Sequence, residues 1–387
     1  MTDKAGGFGT RAIHAGQPPD AATGAIMTPL YLTSTYVQEA PAKHKGYVYA
    51  RGDNPTRKAL EAWLASLESA PHCTVTASGL AAETLVLTDL GAGARVVAGN
   101  DLYGGTWRLF ERVFRKLGLD FAYVDTSDLN AVEAELGRAK TSLLWIETPT
   151  NPLLKITDLK AITTLARGRG VPVLVDNTFA SPYLQRPLEL GADVVVHSMT
   201  KYLGGHSDLI GGALMTKDAD RADRYAKLAN WTGPVADPLT CFLVLRGLKT
   251  LHVRMDRTCD NAEALAKWLA KHPKVDRVWY PGLETHPGHA VAKRQMLRPG
   301  GMLSLELKGS VEDGKRFCSA TRVSSLAESL GGVESLIEHP PSMTHASIPA
   351  EERRKAGLAD GLLRLSVGIE DLADLKADLE RAFESLR

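Results

Sequence analysis

Between residues 73 and 198, short apolar runs and helix-patterned segments alternate six times, and few architectures accommodate that rhythm. The strand-like runs are CTVTA (73–77), ARVVAG (94–99), DFAYVD (120–125), SLLWIE (142–147), VPVLVD (171–176) and ADVVVHS (192–198). The segments between them include LAAETLVLTDL, TWRLFERVFRKLG, DLNAVEAELGRA and DLKAITTLARGRG, which read as helices. Near-continuous apolar strands alternating with helices predict a mostly parallel sheet covered on both faces. In such sheets ligands gather beyond the carboxyl ends of the strands. The expectation is an α/β domain over residues 57–236.

The flanks follow other patterns. HAGQPPDAATGAIMTPLYLTST is rich in Gly, Pro and Thr, so residues 1–56 read as an arm that needs another surface, such as a second subunit. Helical spacing begins with TRKALEAWLASLES, which puts Leu60, Leu64 and Leu67 on one face. Near residue 237 the alternation breaks. DPLTCFLVLRGLKTLHVRMDRTCDNAEALAKWLAKH reads as one long helix, with Asp237 as N-cap and Pro238 in the first turn. DRVWYP, GMLSLELKG, RVSSLAE and LLRLSVGI are strand candidates, and DLADLKADLERAFESL closes the chain. Residues 237–387 are therefore expected to form a smaller α+β domain.

Bulk properties narrow the class. A chain of 387 residues suits two domains better than one. The net charge of +1 gives no basic surface for nucleic acid or an anionic membrane. No apolar run reaches the ~18 residues of a membrane span. The start, MTDKAGGFGTRAIHAG, has no apolar signal core, which points to the cytoplasm. Cys73, Cys241, Cys259 and Cys318 lie far apart without a CxxC pair, as free buried thiols would.

The strand ends carry the chemistry. Ser78, Gly79 and Leu80 lie between CTVTA and a helix, where a glycine turn frees backbone N–H groups for a phosphate; a plain turn glycine is the bland reading. Asn151 sits at the rim after SLLWIE. Asp176 ends VPVLVD, and a carboxylate there needs a partner: a helix cap, an ion pair or a protonated ring nitrogen. Lys201 follows ADVVVHS, and a desolvated lysine gives up its proton readily, as a Schiff-base amine must; the bland reading has it reaching to solvent. Ser198 and Thr200 offer hydroxyls beside it, and Tyr103 in NDLYGGT can stack on a ring. A phosphate cradle, a ring-nitrogen carboxylate and an imine-forming lysine are together what pyridoxal phosphate requires.

At this point the sequence resembles the transsulfuration family of pyridoxal phosphate enzymes, the cystathionine γ-lyases, cystathionine γ-synthases and methionine γ-lyases. The motifs are YARGDNPTR (49–57), SGLAAE (78–83), YGGTWR (103–108), ETPTNP (147–152), VDNTF (175–179), HSMTKYLGGHSD (197–208), RGLKTLHVRM (246–255), LAESLGGVESL (326–336), MTHAS (343–347) and LLRLSVGIED (362–371). The resemblance implies an aspartate-aminotransferase-like fold (fold type I) and assigns roles by position. Lys201 matches the cofactor lysine, Asp176 the pyridine-nitrogen partner and Tyr103 the stacking tyrosine, with a further part in proton traffic. Ser78, Gly79, Leu80, Thr178, Ser198 and Thr200 match the cofactor and phosphate contacts. Tyr49 and Arg51 match residues that reach the phosphate of a neighbouring subunit, in a homotetramer with shared active sites. Arg364 matches the clamp for a substrate carboxylate, assisted by Asn151 and Ser329, and Arg108 would support acidic groups at the far end of a substrate.

Two positions discriminate within the family. Glu328 matches a glutamate of members that handle cystathionine, where it faces the distal amino group. Methionine-cleaving members carry an apolar residue there and a cysteine at the position of Gly105, so that reading is disfavoured. The expected activity is the lyase reaction, cystathionine to cysteine, 2-oxobutanoate and ammonia. The alternative is the synthase reaction, cysteine replacing the acyl group of an O-acyl-homoserine. Asp53, in a position where many members have glycine, adds a negative charge near the phosphate-binding arm. Among rival readings, His197, His206 and Asp208, or His286 with His289, could be drawn as metal ligands, but packing and loop roles explain them better. GAGARV precedes a strand instead of following one, against a dinucleotide site.

Overall fold

The computed structural model describes residues 6–344, 351 and 357–386. Seven strands build the larger sheet: β1 (His72–Thr76), β2 (Arg95–Gly99), β3 (Asp120–Val124), β4 (Leu143–Glu147), β5 (Val173–Asp176), β6 (Val194–Ser198) and β7 (Gly212–Thr216), in the order β1-β7-β6-β5-β4-β2-β3. All pairs are parallel except those of β7, which runs antiparallel to both β1 and β6. The mostly parallel sheet is as the alternation requires; β7 is an addition that the sequence reading lacked.

Both faces of this sheet are buried, and the side chains divide between them with period two. Val97, Leu144, Ile146, Val173, Val175, Val195 and Met215 face one core. Val96, Ala98, Leu143, Trp145, Leu174, Val194, Val196 and Leu214 face the other. Deleting such a side chain to alanine typically costs ~2–5 kcal/mol, which fixes the strand register and with it the positions of the strand ends.

A second sheet holds β8 (Val275–Trp279), β9 (Met302–Leu307), β10 (Ser325–Leu326), β11 (Leu336–Glu338) and β12 (Leu362–Ser366), in the order β10-β11-β12-β9-β8. Its core centres on Leu303, Leu305, Phe317, Ile337, Leu363, Leu365 and Phe383. The long helix expected from residue 237 is two helices, Pro238–Leu248 and Leu251–Leu269. Asp237 caps the first through the N–H groups of Leu239 and Thr240. The second helix belongs to both cores. Leu251, Met255 and Cys259 pack beneath the large sheet, whereas Ala262, Leu265, Ala266 and Leu269 pack against the small one.

The arm is mostly irregular beyond a short helix, Phe8–His14, but it is stitched to the body at the start of helix Pro55–Leu67. Buried Asn54 caps that helix and donates to the Tyr31 carbonyl (3.0 Å) and the Tyr36 hydroxyl (3.2 Å). The Thr56 hydroxyl donates to the Pro29 carbonyl (2.9 Å). The same arm exposes Ile26, Leu32 and Val37, the last at 95 %. All four cysteines are free; Cys73 is half-buried and the others are buried. Among the described residues no helix is long and apolar enough to cross a membrane.

Candidate active site

A cavity of about 390 Å³ opens beyond the carboxyl ends of β4, β5 and β6 and is closed on its far side by residues around β10 and β12. Thirteen of the sequence-derived site residues line it: Ser78, Gly79, Leu80, Tyr103, Asn151, Asp176, Thr178, Ser198, Thr200, Lys201, Glu328, Ser329 and Arg364. Tyr49, Arg51 and Arg108 do not. Arg108 is exposed on the helix that Tyr103 begins, and it acts on the Tyr103 phenol electrostatically. Tyr49 and Arg51 are exposed on the arm, with the guanidinium carbon 5.7 Å from the ring centroid. Buried Arg57 fixes that outward loop, donating from Nη2 to the carbonyls of Ala50 (2.8 Å) and Arg51 (3.3 Å).

Three strand ends converge at one end of the cavity. Gly212 pairs with Thr76 on one side and Ser198 on the other. Ser78 caps the helix Gly79–Leu90 by accepting from the Ala81 N–H. A side chain at Gly79 would bring its Cβ to 3.1 Å from Ser198 Cβ, and one at Gly212 would bring it to 2.0 Å from the Ser78 carbonyl oxygen. The two strand ends therefore close on each other only because both residues are glycine. The result is a concave set of hydroxyls at a helix N-terminus, suited to a phosphate. It contains no Lys or Arg side chain; among the described lining residues the cations are Lys201 and Arg364.

Asp176 ends β5 directly opposite Glu147 at the end of β4. Its Oδ1 accepts from the Thr178 N–H at 2.9 Å. Burial pushes its carboxyl up, while the contacts of Thr178 and the nearby His197 oppose that shift. A cation placed against it would remove the desolvation cost, and a protonated ring nitrogen is such a cation. His197 lies behind, with Nε2 2.5 Å from Glu68 Oε1 in a fully buried pair, so it is a core residue.

Lys201 hangs on a tight turn. Gly205, four residues on and at φ +75°, donates its N–H back to the Lys201 carbonyl (2.8 Å) and leaves room for the Arg254 guanidinium, which a Cβ would meet at 2.1 Å. Arg254 in turn donates to the Tyr202 carbonyl at 2.8 Å. The Lys201 amine donates to Ser329 Oγ at 2.7 Å. Burial, and then the positive charge of Arg364, lower its pKa to about 8. A useful fraction is thus a neutral nucleophile near neutrality, where an ordinary lysine is almost wholly protonated.

Arg364, on β12, is buried and donates to Asn151 Oδ1 (2.9 Å) and the Ser329 carbonyl (2.7 Å). Ser329, with a left-handed backbone (φ 86°), therefore meets the amine through its hydroxyl and the guanidinium through its carbonyl. Tyr103 immediately precedes the helix Gly104–Arg112 and lays its ring across Gly105, where a Cβ would lie 2.2 Å from the ring. Burial raises the phenol, so it holds its proton at neutral pH.

Three carboxylates at the site, and Glu68 in the core behind it, were missed by sequence reasoning or given no role. Glu147 organises two predicted residues at once: Oε2 accepts from the Tyr103 N–H (2.8 Å) and Oε1 from the Asn151 N–H (3.0 Å). Glu83 lines the cavity and accepts from the Thr106 hydroxyl at 2.9 Å. Glu338 is paired with Arg364, and Glu68 with His197. Burial, and then the charge of Asp176, raise both Glu83 and Glu147 far above the usual carboxylate range. Their strand-end or helix-start positions were the available signal. The motif MTHAS runs into residues 345–347, which lie outside the described residues.

Comparison with known proteins identifies the family. The profile of the family described as Cys/Met metabolism PLP-dependent enzyme matches residues 9–384. A cystathionine beta-lyase of Coxiella burnetii is 54% identical, over 96% of this chain and 97% of the relative. A cystathionine gamma-lyase of Dictyostelium discoideum is 50% identical over 97% of each chain. A cystathionine gamma-synthase of Mycobacterium tuberculosis is 51% identical, over 97% of this chain and 96% of the relative. The crystal structure of metB from Corynebacterium glutamicum superimposes with a TM-score of 0.96 at 47% identity, covering 100% of both chains. The fold, the cavity at the strand ends and these likenesses have one explanation: the chain belongs to the Cys/Met metabolism family of pyridoxal phosphate-dependent enzymes.

Proposed function

We propose that this enzyme cleaves cystathionine at its γ-carbon, giving cysteine, 2-oxobutanoate and ammonia. The observation that carries the reading is the convergence on residues 328 and 329. The Lys201 amine and the Arg364 guanidinium both bond Ser329, and the Glu328 carboxylate lines the same cavity one residue away. An amino acid whose carboxylate meets Arg364 lies with its Cα near Lys201, and a distal ammonium has an anion to face. An uncharged thioether tail gains nothing from Glu328.

Ser78, Gly79, Leu80, Ser198 and Thr200 would hold the phosphate of pyridoxal phosphate, Asp176 its ring nitrogen and Tyr103 its ring face. When bound, this cofactor supplies a sink for the electron pair left as substrate Cα loses its proton. Lys201, neutral once free, takes that proton and carries protons between Cα and Cβ, which opens the path to a Cγ leaving group. Protonated Tyr103 stands ready to donate to the departing sulfur. Buried Asn151 and Arg364 fix the carboxylate, and Glu147 holds Asn151 and the Tyr103 backbone in register.

The second reading is cysteine replacing the acyl group of an O-acyl-homoserine, supported by the relative named cystathionine gamma-synthase. Steady-state rates decide. Cystathionine should yield cysteine with 2-oxobutanoate, faster than O-succinylhomoserine plus cysteine is consumed. Dominance of the second reaction would replace the lyase reading. Homocysteine and pyruvate as the main products would instead indicate cleavage on the β side.

We propose also that the site is completed by a second copy of the chain, in a homotetramer. A phosphate dianion bound without a cation is costly when buried, and the cradle has none of its own, whereas Arg51 and Tyr49 face outward on an arm that exposes Ile26, Leu32 and Val37. Arg51→Ala and Lys201→Ala variants, each with severely reduced turnover alone, should regain partial activity when refolded together. Absence of any recovery in mixed oligomers would mean that each site is built from one chain.

A further inference from the structure

Arg364 already has an anionic partner. Glu338 stands directly across from it, β11 against β12, and its Oε1 lies 3.1 Å from Arg364 Nη1. Both side chains are almost completely buried, at 1 % and 4 % exposure. Glu338 Oε1 accepts from the Thr344 hydroxyl at 3.1 Å, while Oε2 is buried without a hydrogen-bond partner among the described residues.

The guanidinium has five N–H donors. Nη1 donates to Asn151 and forms an ion pair with Glu338, and Nη2 donates to the Ser329 carbonyl. Nε is buried without a hydrogen-bond partner among the described residues. The Nε–H is therefore free beside Nη2, on the edge of the fork whose shape takes a carboxylate through two bonds. A ligand carboxylate on that edge would put two anions on one buried cation, and like charges in such a site do not both persist. The two carboxylates do not have equal means of relief. The ligand carboxylate holds two fresh hydrogen bonds, whereas Glu338 has a bare oxygen available for a proton.

We propose that Glu338 is the resident counter-ion of the substrate clamp: it balances Arg364 while the clamp is empty and takes up one proton from solvent when a ligand carboxylate binds. The proposal rests on Arg364 being the carboxylate clamp. Among the described residues, the ionisable groups that face Glu338 are Arg364 on β12, Lys201 after β6, Glu328 after β10 and Cys318 on the helix Val311–Ala320. The neighbouring His339 ring is turned to the Ser342 hydroxyl and the Asp360 carbonyl. Burial works in the direction of the proposal, raising Glu338 against the opposing pull of Arg364. Glu338 is thus a positioning residue that couples substrate affinity to pH.

Butanoate tests this on the holoenzyme, since it has the carboxylate but no amine to react. Its inhibition constant is measured over about pH 6–9, and proton uptake is counted by titration calorimetry in two buffers of different ionisation heat. Wild type should take up a proton and bind more weakly as pH rises. Glu338→Gln keeps the side-chain shape beside Nη1 but removes the charge; it should bind butanoate about tenfold more tightly at the upper end and lose the slope, the scale of one unit of pKa coupling. Weaker binding with the wild-type slope would make Glu338 a mere support for Arg364 and overturn the proposal. So would an absence of proton uptake in wild type, a result that needs no variant. Arg364→Lys separates the two ideas: unchanged butanoate binding there would refute the clamp itself.

Discussion

Lys201→Ala should give a folded protein with turnover reduced by about 10⁴-fold, the upper range for removing a positioned proton-transfer group. The amine is the reactive centre of the site, yet the fold depends little on it. Among the described residues its one hydrogen bond is to Ser329, whose carbonyl is held independently by Arg364. Removing a desolvated amine also removes a burial penalty. Thermal melting should therefore stay near wild type, and borohydride should no longer fix the cofactor to the protein. Near-normal turnover would refute the assignment, and a collapse of melting temperature would show that Lys201 is structural.

Arg364→Ala should fail in two ways at once. Losing a bidentate, charge-assisted contact to a substrate carboxylate should lower kcat/KM by about 10²–10³-fold. It also strands Glu338 as a buried unpaired carboxylate, and breaking a buried pair from one side typically costs ~3–5 kcal/mol. Adding Glu338→Gln should restore most of the stability and none of the activity. Urea unfolding of the two variants checks the first half and steady-state kinetics the second. A stable Arg364→Ala enzyme with a normal KM would contradict both.

Much of the site was readable because fully buried parallel strands end abruptly. VPVLVD and ADVVVHS are unbroken apolar runs, so Asp176 and the Lys201 turn stood out against them. The signal fails where an element is short or mixed. β7 reads GALMT, with no β-branched residue before its final Thr, and it pairs across long range with β1 and β6. β11 has three residues, so Glu338 on it had no strand to locate it. The two helices after residue 237 read as one because apolar spacing survives the break at Lys249 and Thr250. Glu147 stood inside a quoted motif, but its role is a pair of hydrogen bonds to Tyr103 and Asn151, and no local pattern encodes those. The outward placement of Tyr49 and Arg51 follows from Arg57 gripping backbone carbonyls, which is again invisible in spacing.

The helix Leu251–Leu269 is a rod of about 28 Å at 1.5 Å per residue. One end is embedded in each core, so it splints the two walls of the cavity. Swinging those walls apart would mean kinking the rod at its middle and breaking backbone hydrogen bonds there. The cavity is thus a slot of set width, held open by a beam that its two walls share.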